Sequence, residues 1–160
     1  MARWRGDHRQ AAALCEESLA LAQDLGSTQM VAAALAELGH TALAAGDSTR
    51  AAALLAETLR LSREHVPVWI RLNALAGLAG LAAARGQARR ALRLGAVVAA
   101  LGETTGRRLY PADGTALDDR LALARQVLPA EAQAAAWAEG QTMPLEQAVA
   151  YALADTPASP

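Results

Sequence analysis

The chain has 160 residues, 53% of them hydrophobic, with no Phe, three Trp, two Tyr and a formal net charge of −1. That length suits one domain with a true core, and the near-zero charge gives no global pull toward nucleic acid or an anionic membrane. All fifteen basic residues are Arg, which excludes a phosphate-loop lysine, a Schiff-base amine and a catalytic lysine base.

From Asp7 to about Leu25, the apolar positions Ala11, Leu14, Cys15, Leu19 and Ala22 recur at intervals of three and four, which is one face of a helix. Gly26 ends it, and Ser27 or Thr28 can cap a second helix from Gln29 to Ala45. Gly46 closes that one. A third helix from Ser48 to about Glu64 repeats the first: Ala11, Leu14, Glu17, Leu19 and Leu21 become Ala51, Leu54, Glu57, Leu59 and Leu61. Pro67 suits the first turn of a fourth helix, which repeats the second through Leu75, Ala76, Leu78 and Ala84. A fifth, Ala88 to about Glu103, repeats the first and third. Val, Ile and Thr are thinly scattered and form no alternating run, so no strand is expected and the fold class is all-α.

The period of this pattern is 40 residues, marked by turn glycines at 6, 46 and 86 and by alanines at 11, 51 and 91. Each turn has the same logic. Glycine supplies the positive-φ exit from one helix, Asp47 or its copy Asp7 caps the next, and the alanine marks close approach between the pair. A fixed period in this range implies stacked units, each burying its apolar face against its neighbours. The first unit contains only its second helix. Its outer face, with Leu14, Leu21 and Leu25, is therefore left without a partner, and self-association of two copies through it is expected.

Past Glu103 the repeat stops. Residues 104–114 read as a loop, and Thr115-Ala116-Leu117-Asp118 resembles a capping box opening a helix to about Val127. Pro129 with Glu131 begins another helix, and Pro144 with Glu146 a third that runs to about Ala154. The expected organisation is helical repeats over 1–104, C-terminal capping helices over 105–155 and a disordered tail over 156–160. The acids of the capping helices face a basic run, Arg85, Arg89, Arg90, Arg93, Arg107 and Arg108, so those helices are expected to fold back on the last repeat.

Leu38-Gly39, Gly46, Ala51, Leu55 and Leu59 resemble the tetratricopeptide repeat signature. The resemblance implies a right-handed superhelix of antiparallel helix pairs. Ala42 stands where that signature has an aromatic, and Gly95 replaces its large residue in the last copy. The segment with Ala136-Trp137, Gly140, Met143, Glu146, Ala148-Val149 and Ala152-Leu153 resembles the extreme C-terminus of bacterial LuxR-type, ATPase-linked and cyclase-like regulators. That likeness implies a fragment of a transcriptional regulator whose DNA-binding and nucleotide-binding modules lie elsewhere, with no direct nucleic-acid contact from this part.

Little in the chain carries chemistry. Cys15 excludes an internal disulfide and a multi-thiolate metal site, and its place on the apolar side of a helix reads as core packing. Glu37 and His40 have the Glu-x-x-His spacing of carboxylate-bridged di-iron bundles, but their equivalents one period on are Gly77 and Gly80, which removes half the ligand set. Asp118 and Asp119 sit in a first turn, where negative charge complements the helix dipole. No enzyme, cofactor or metal is expected.

By the tetratricopeptide alignment, a concave groove would be lined by Ala33, Ala36, His40, Leu43, Asn73, Ala76, Gly80 and Ala83. Such a lining suits a helix or hydrophobic peptide. The expected function is protein contact in the cytoplasm, with no membrane partner. The alternative is a small-molecule sensor pocket between the repeats and the C-terminal helices.

Overall fold

The structure, a computed structural model, describes residues 8–62 and 66–154. Every regular element among them is an α-helix: α1 (His8–Asp24), α2 (Thr28–Ala44), α3 (Ser48–Leu61), α4 (Val68–Ala84), α5 (Ala88–Thr105), α6 (Pro111–Gln126), α7 (Ala130–Gln141) and α8 (Leu145–Ala154). The all-α reading holds for the physical reason given by the composition: Ala and Leu lose little on entering a helix, whereas strand-forming residues are sparse. Two compact units divide the chain between Ala74 and Leu75, inside α4. The expected 1–104 and 105–155 division follows the sequence period instead. The tail over 156–160 and the cap Asp7 lie outside the described residues.

The turns are built from one device. At the α2–α3 turn, Gly46 has φ of 83°, its N–H donates to the Leu43 carbonyl at 3.2 Å, and the Asp47 N–H donates to the Ala42 carbonyl at 2.9 Å. This pair of bonds is a Schellman motif, which satisfies helix-end carbonyls and needs a left-handed residue that glycine adopts without strain. The same two bonds recur at Gly86 and Gln87 (3.0 and 2.9 Å) and at Gly26 and Ser27 (3.0 and 3.1 Å). Asp47 caps α3 by accepting from the Arg50 N–H at 3.0 Å, and Ser27 caps α2 by accepting from the Met30 N–H at 3.4 Å.

Proline marks four helix starts. Pro67, Pro129 and Pro144 stand immediately before α4, α7 and α8, and their carbonyls accept from Ile70, Gln133 and Ala148 at 3.0, 3.0 and 2.9 Å. A capping residue needs no helical N–H of its own, so proline fits one position earlier than a first-turn assignment puts it. The helix expected to open at Thr115 begins four residues sooner, at Pro111. Pro111 presets φ at the first helical position. The Tyr110 carbonyl then accepts from both Asp113 and Gly114 at 2.9 Å, which draws a stretch rich in loop-forming residues into α6.

In the first unit, α2 packs against both α1 and α3. Gly39 on α2 meets Leu55 on α3 so closely that a Cβ at 39 would lie 2.6 Å from the Leu55 Cγ. Leu55 is fully buried, as is Ala51 one turn before it. Ala32, Val66 and Ile70 form a second cluster, with Leu61, Ala33 and Trp69 packed on it.

In the second unit, α5 is the common support on which α6, α7 and α8 all pack. Gly95 on α5 receives Leu121 of α6, and a Cβ there would stand 2.6 Å from the Leu121 Cδ1. Gly140 on α7 lies directly over the α5 backbone, where a Cβ would overlap the Arg93 carbonyl oxygen and come within 2.7 Å of the Ala96 Cβ.

These glycines predict opposite outcomes for one substitution. Gly140→Ala has no side-chain rotation that relieves a clash with backbone, so α7 must lift from α5 at about 1–3 kcal/mol by the usual cost of overpacking. Gly114→Ala adds its Cβ to open space within α6 and should stabilise by about 0.5–1 kcal/mol through helix propensity. Urea unfolding of the two variants checks both signs.

Candidate functional site

The residues expected to line a groove are mostly interior. Ala36, His40, Leu43, Asn73, Ala76 and Gly80 are buried, and only Ala33 and Ala83 are half-buried. His40 and the Asn73 amide nitrogen are hydrogen-bonded, while the buried Asn73 Oδ1 has no partner among the described residues. His40 Nε2 lies 2.9 Å from the Asn73 carbonyl oxygen, which requires Nε2 to carry the proton and donate. Asn73 Nδ2 donates in turn to Glu37 Oε1 at 3.4 Å. Glu37 and His40 therefore belong to a buried network tying α2 to α4, a stabilising role for the Glu-x-x-His pair. No group of three or more metal-ligating side chains occurs among the described residues. Asp118 and Asp119 are exposed, and Cys15 is half-buried.

The accessible surfaces lie elsewhere. Leu14 and Leu21 on α1 and Leu25 just past its end are 52%, 57% and 70% exposed, Leu19 is half-buried, and Met30 near the start of α2 is 47% exposed. Their spacing of seven and four places Leu14, Leu21 and Leu25 on one stripe. Ser18 falls on the same stripe, and its hydroxyl donates back to the Leu14 carbonyl at 2.9 Å, so it adds no unmet polar group. One period on, the equivalents behave differently. Leu54 and Leu61 are half-buried, Leu61 against Ala32, Val66 and Ile70, and Leu94 is fully buried. The stripe expected to lack a partner does lack one among the described residues.

A shallow cleft of about 500 Å³ opens in the second unit where α5, α6 and α7 meet. It is lined by Leu92, Arg125, Ala130, Gln133, Ala134, Trp137, Ala138 and Gln141. The Arg125 guanidinium stacks on the Trp137 ring at 5.1 Å, a cation–π contact that orients both. Gln133 Nε2 donates to the Arg125 and Leu128 carbonyls at 2.8 Å each, closing the α6 end. The cleft is open to solvent along its length. Composition gave no hint of it, because Arg125, Gln133 and Trp137 become neighbours only through the α6–α7 turn.

The basic run is divided in its use. Arg93 pairs with Glu139 and donates to the Tyr151 hydroxyl at 3.1 Å. Arg90 donates to the Ala152 carbonyl at 2.9 Å, and its guanidinium lies 4.8 Å from the Tyr151 ring centre. These contacts hold α7 and α8 to α5, one through an ion pair and the others through a hydroxyl, a carbonyl and a ring. Arg89, Arg107 and Arg108 are exposed. On α6, burial lowers the Arg120 pKa from its ordinary value, and the Asp113 carboxylate opposes that shift. Leu123 and Val127 on the same helix are exposed.

Compared with known proteins, the chain matches no family model, no curated protein and no solved structure. No helix among the described residues is long and apolar enough to cross a membrane.

The two arginines at neighbouring turns of α5 should separate on substitution. Arg93→Ala removes an ion pair, a hydrogen bond and a ring contact, and should cost about 1–2 kcal/mol as a half-buried charged hydrogen-bonding group. Arg89→Ala, at an exposed site, should stay within about 0.5 kcal/mol of the parent. Thermal unfolding followed by circular dichroism reads the difference.

Proposed function

We propose that this chain is a non-enzymatic, tetratricopeptide-type interaction module, a protein-contact platform belonging to a larger, cytoplasmic bacterial transcriptional regulator of the LuxR type. The observation that carries the contact role is the uncovered stripe of Leu14, Leu21 and Leu25 with Met30. Large apolar side chains in one contiguous row are unfavourable in water and mark a surface that is covered when the protein works. The repeat supports the same reading, since the equivalents of Leu14 and Leu21 on the later helices, Leu54, Leu61, Leu94 and Leu101, are half-buried or buried. A helix or hydrophobic segment of a partner, or a second copy of the chain, supplies the kind of cover the stripe needs.

A second reading, a small-molecule sensor, draws on the α5–α7 cleft. Its apolar lining residues and paired Arg125 and Trp137 resemble the makings of a ligand pocket. The openness of the cleft favours the contact platform, because a drug-sized molecule is held by enclosure.

Site-specific photocrosslinking decides between them. With Leu21→p-benzoylphenylalanine in the chain expressed in cells, irradiation should give a protein adduct that is absent when the probe replaces Ala122 on the exposed side of α6. No adduct at 21, together with a retained small molecule in native mass spectrometry, would put the sensor reading in its place.

A further inference from the structure

We propose that the outer face of α1 receives an amphipathic helix with Arg or Lys along one edge, an assignment that rests on the interaction-module reading and names the class of its partner. The argument comes from what borders the stripe. Leu14, Ser18, Leu21 and Leu25 occupy positions i, i+4, i+7 and i+11, a row long enough for three turns of a partner helix. Glu17 and Asp24, also seven residues apart, run parallel to that row about 70° round the helix by the 100° step per residue. Both are exposed.

Among the described residues Glu17 and Asp24 are unpaired, as are the exposed Glu103, Asp118, Asp119 and Glu131, but Glu17 and Asp24 flank a row of exposed leucines. Glu16 is paired with Arg50, Glu57 with Arg60 and Glu139 with Arg93, and the Asp47 carboxylate caps α3. On the other side of the stripe lies the interior, with Ala11 and Ala22 buried, so a docking helix meets charge along one edge only.

That asymmetry chooses the occupant. In an antiparallel pair of two α1 helices related by a two-fold axis, the Glu17 and Asp24 edges fall on the same side and repel. In a parallel pair each acidic edge meets the partner's uncharged Ala11 and Ala22 edge, so neither arrangement gives the carboxylates a cation. A helix with cations on the matching edge converts the same geometry into attraction and fixes which way round it docks. Apolar side chains would supply the affinity and the edge charges the orientation, a helix-in-groove mode with one charged border.

Fluorescence anisotropy with the full chain tests this directly. The probes are two labelled 18-residue helical peptides with leucines at the i, i+4, i+7 and i+11 positions, one with Arg and the other with Glu along the facing edge. The Arg peptide should bind at least tenfold more tightly, weaken as salt rises, and lose its advantage to the Glu peptide in the doubly reversed variant Glu17→Arg/Asp24→Arg. Leu21→Gln, at an exposed position that the fold does not depend on, should abolish binding of both. Equal affinities, or a preference unmoved by charge reversal, would overturn the assignment of a basic helix. A concentration-dependent dimer lost in Leu21→Gln would name a second copy as the occupant and overturn it as well. If neither peptide binds while the photoadduct at position 21 persists, the contact platform stands and only the partner class fails.

Discussion

Close helix approach through small residues is the constraint on which this structure depends. With no Phe and few other aromatics, the chain cannot fill wide gaps between helices, so it must bring backbones together. The contacts at Gly39 with Leu55, Gly95 with Leu121 and Gly140 over the Arg93 carbonyl are three solutions to that problem. In each, the missing Cβ is the space the neighbour occupies. Dispersion contacts are individually about 0.1–0.2 kcal/mol and decay within an ångström, so a core of Ala and Leu gains them only at such short range. The same logic explains the buried alanines at 11, 51 and 91, whose side chains fill no more than a shallow step between helices.

Helix existence and the turn chemistry were legible because they are local. Gly26, Gly46 and Gly86 each announce a left-handed exit, and the bonds around them depend on residues within six positions. The start of α6 was misread for an equally local reason. Gly106, Pro111 and Gly114 crowd into a few residues and read together as a loop, yet only Gly106 is in the left-handed region. Pro111 is a helix starter and Gly114 an ordinary helical residue. Composition counts breakers without saying which of them breaks.

What lay beyond the sequence was the meaning of its irregularities. Gly95 stands where the repeat calls for a large residue, and by pattern alone it looks like decay of the signature. In the structure it makes the room that Leu121 fills, so the departure is what lets α6 settle on α5. His40 and Glu37 were similarly ambiguous: a ligand spacing on paper, a buried hydrogen-bond network once Asn73 is placed beside them. The cleft at Trp137 was invisible throughout, since no periodicity links Leu92 on α5 to Arg125 and Gln133. Long-range neighbours leave no trace in a single sequence unless a repeat supplies one.

Helix α1 in the first unit and helix α5 in the second differ in how their outward faces are covered, and the functional argument turns on that difference. An apolar helix face needs cover from something with a polar exterior. At α5 the chain provides the cover itself. Helices α6 to α8 pack on it, Arg90 and Arg93 anchor α7 and α8, and Leu94 and Val97 are withdrawn from water. At α1 Leu14, the equivalent of Leu94, stays exposed with Leu21, and Glu17 and Asp24 beside them lie along one edge. On α5 the anchors orient helices of the chain itself. On α1, under the proposed contact role, the Glu17 and Asp24 edge beside the exposed leucines sets the direction from which a partner helix docks.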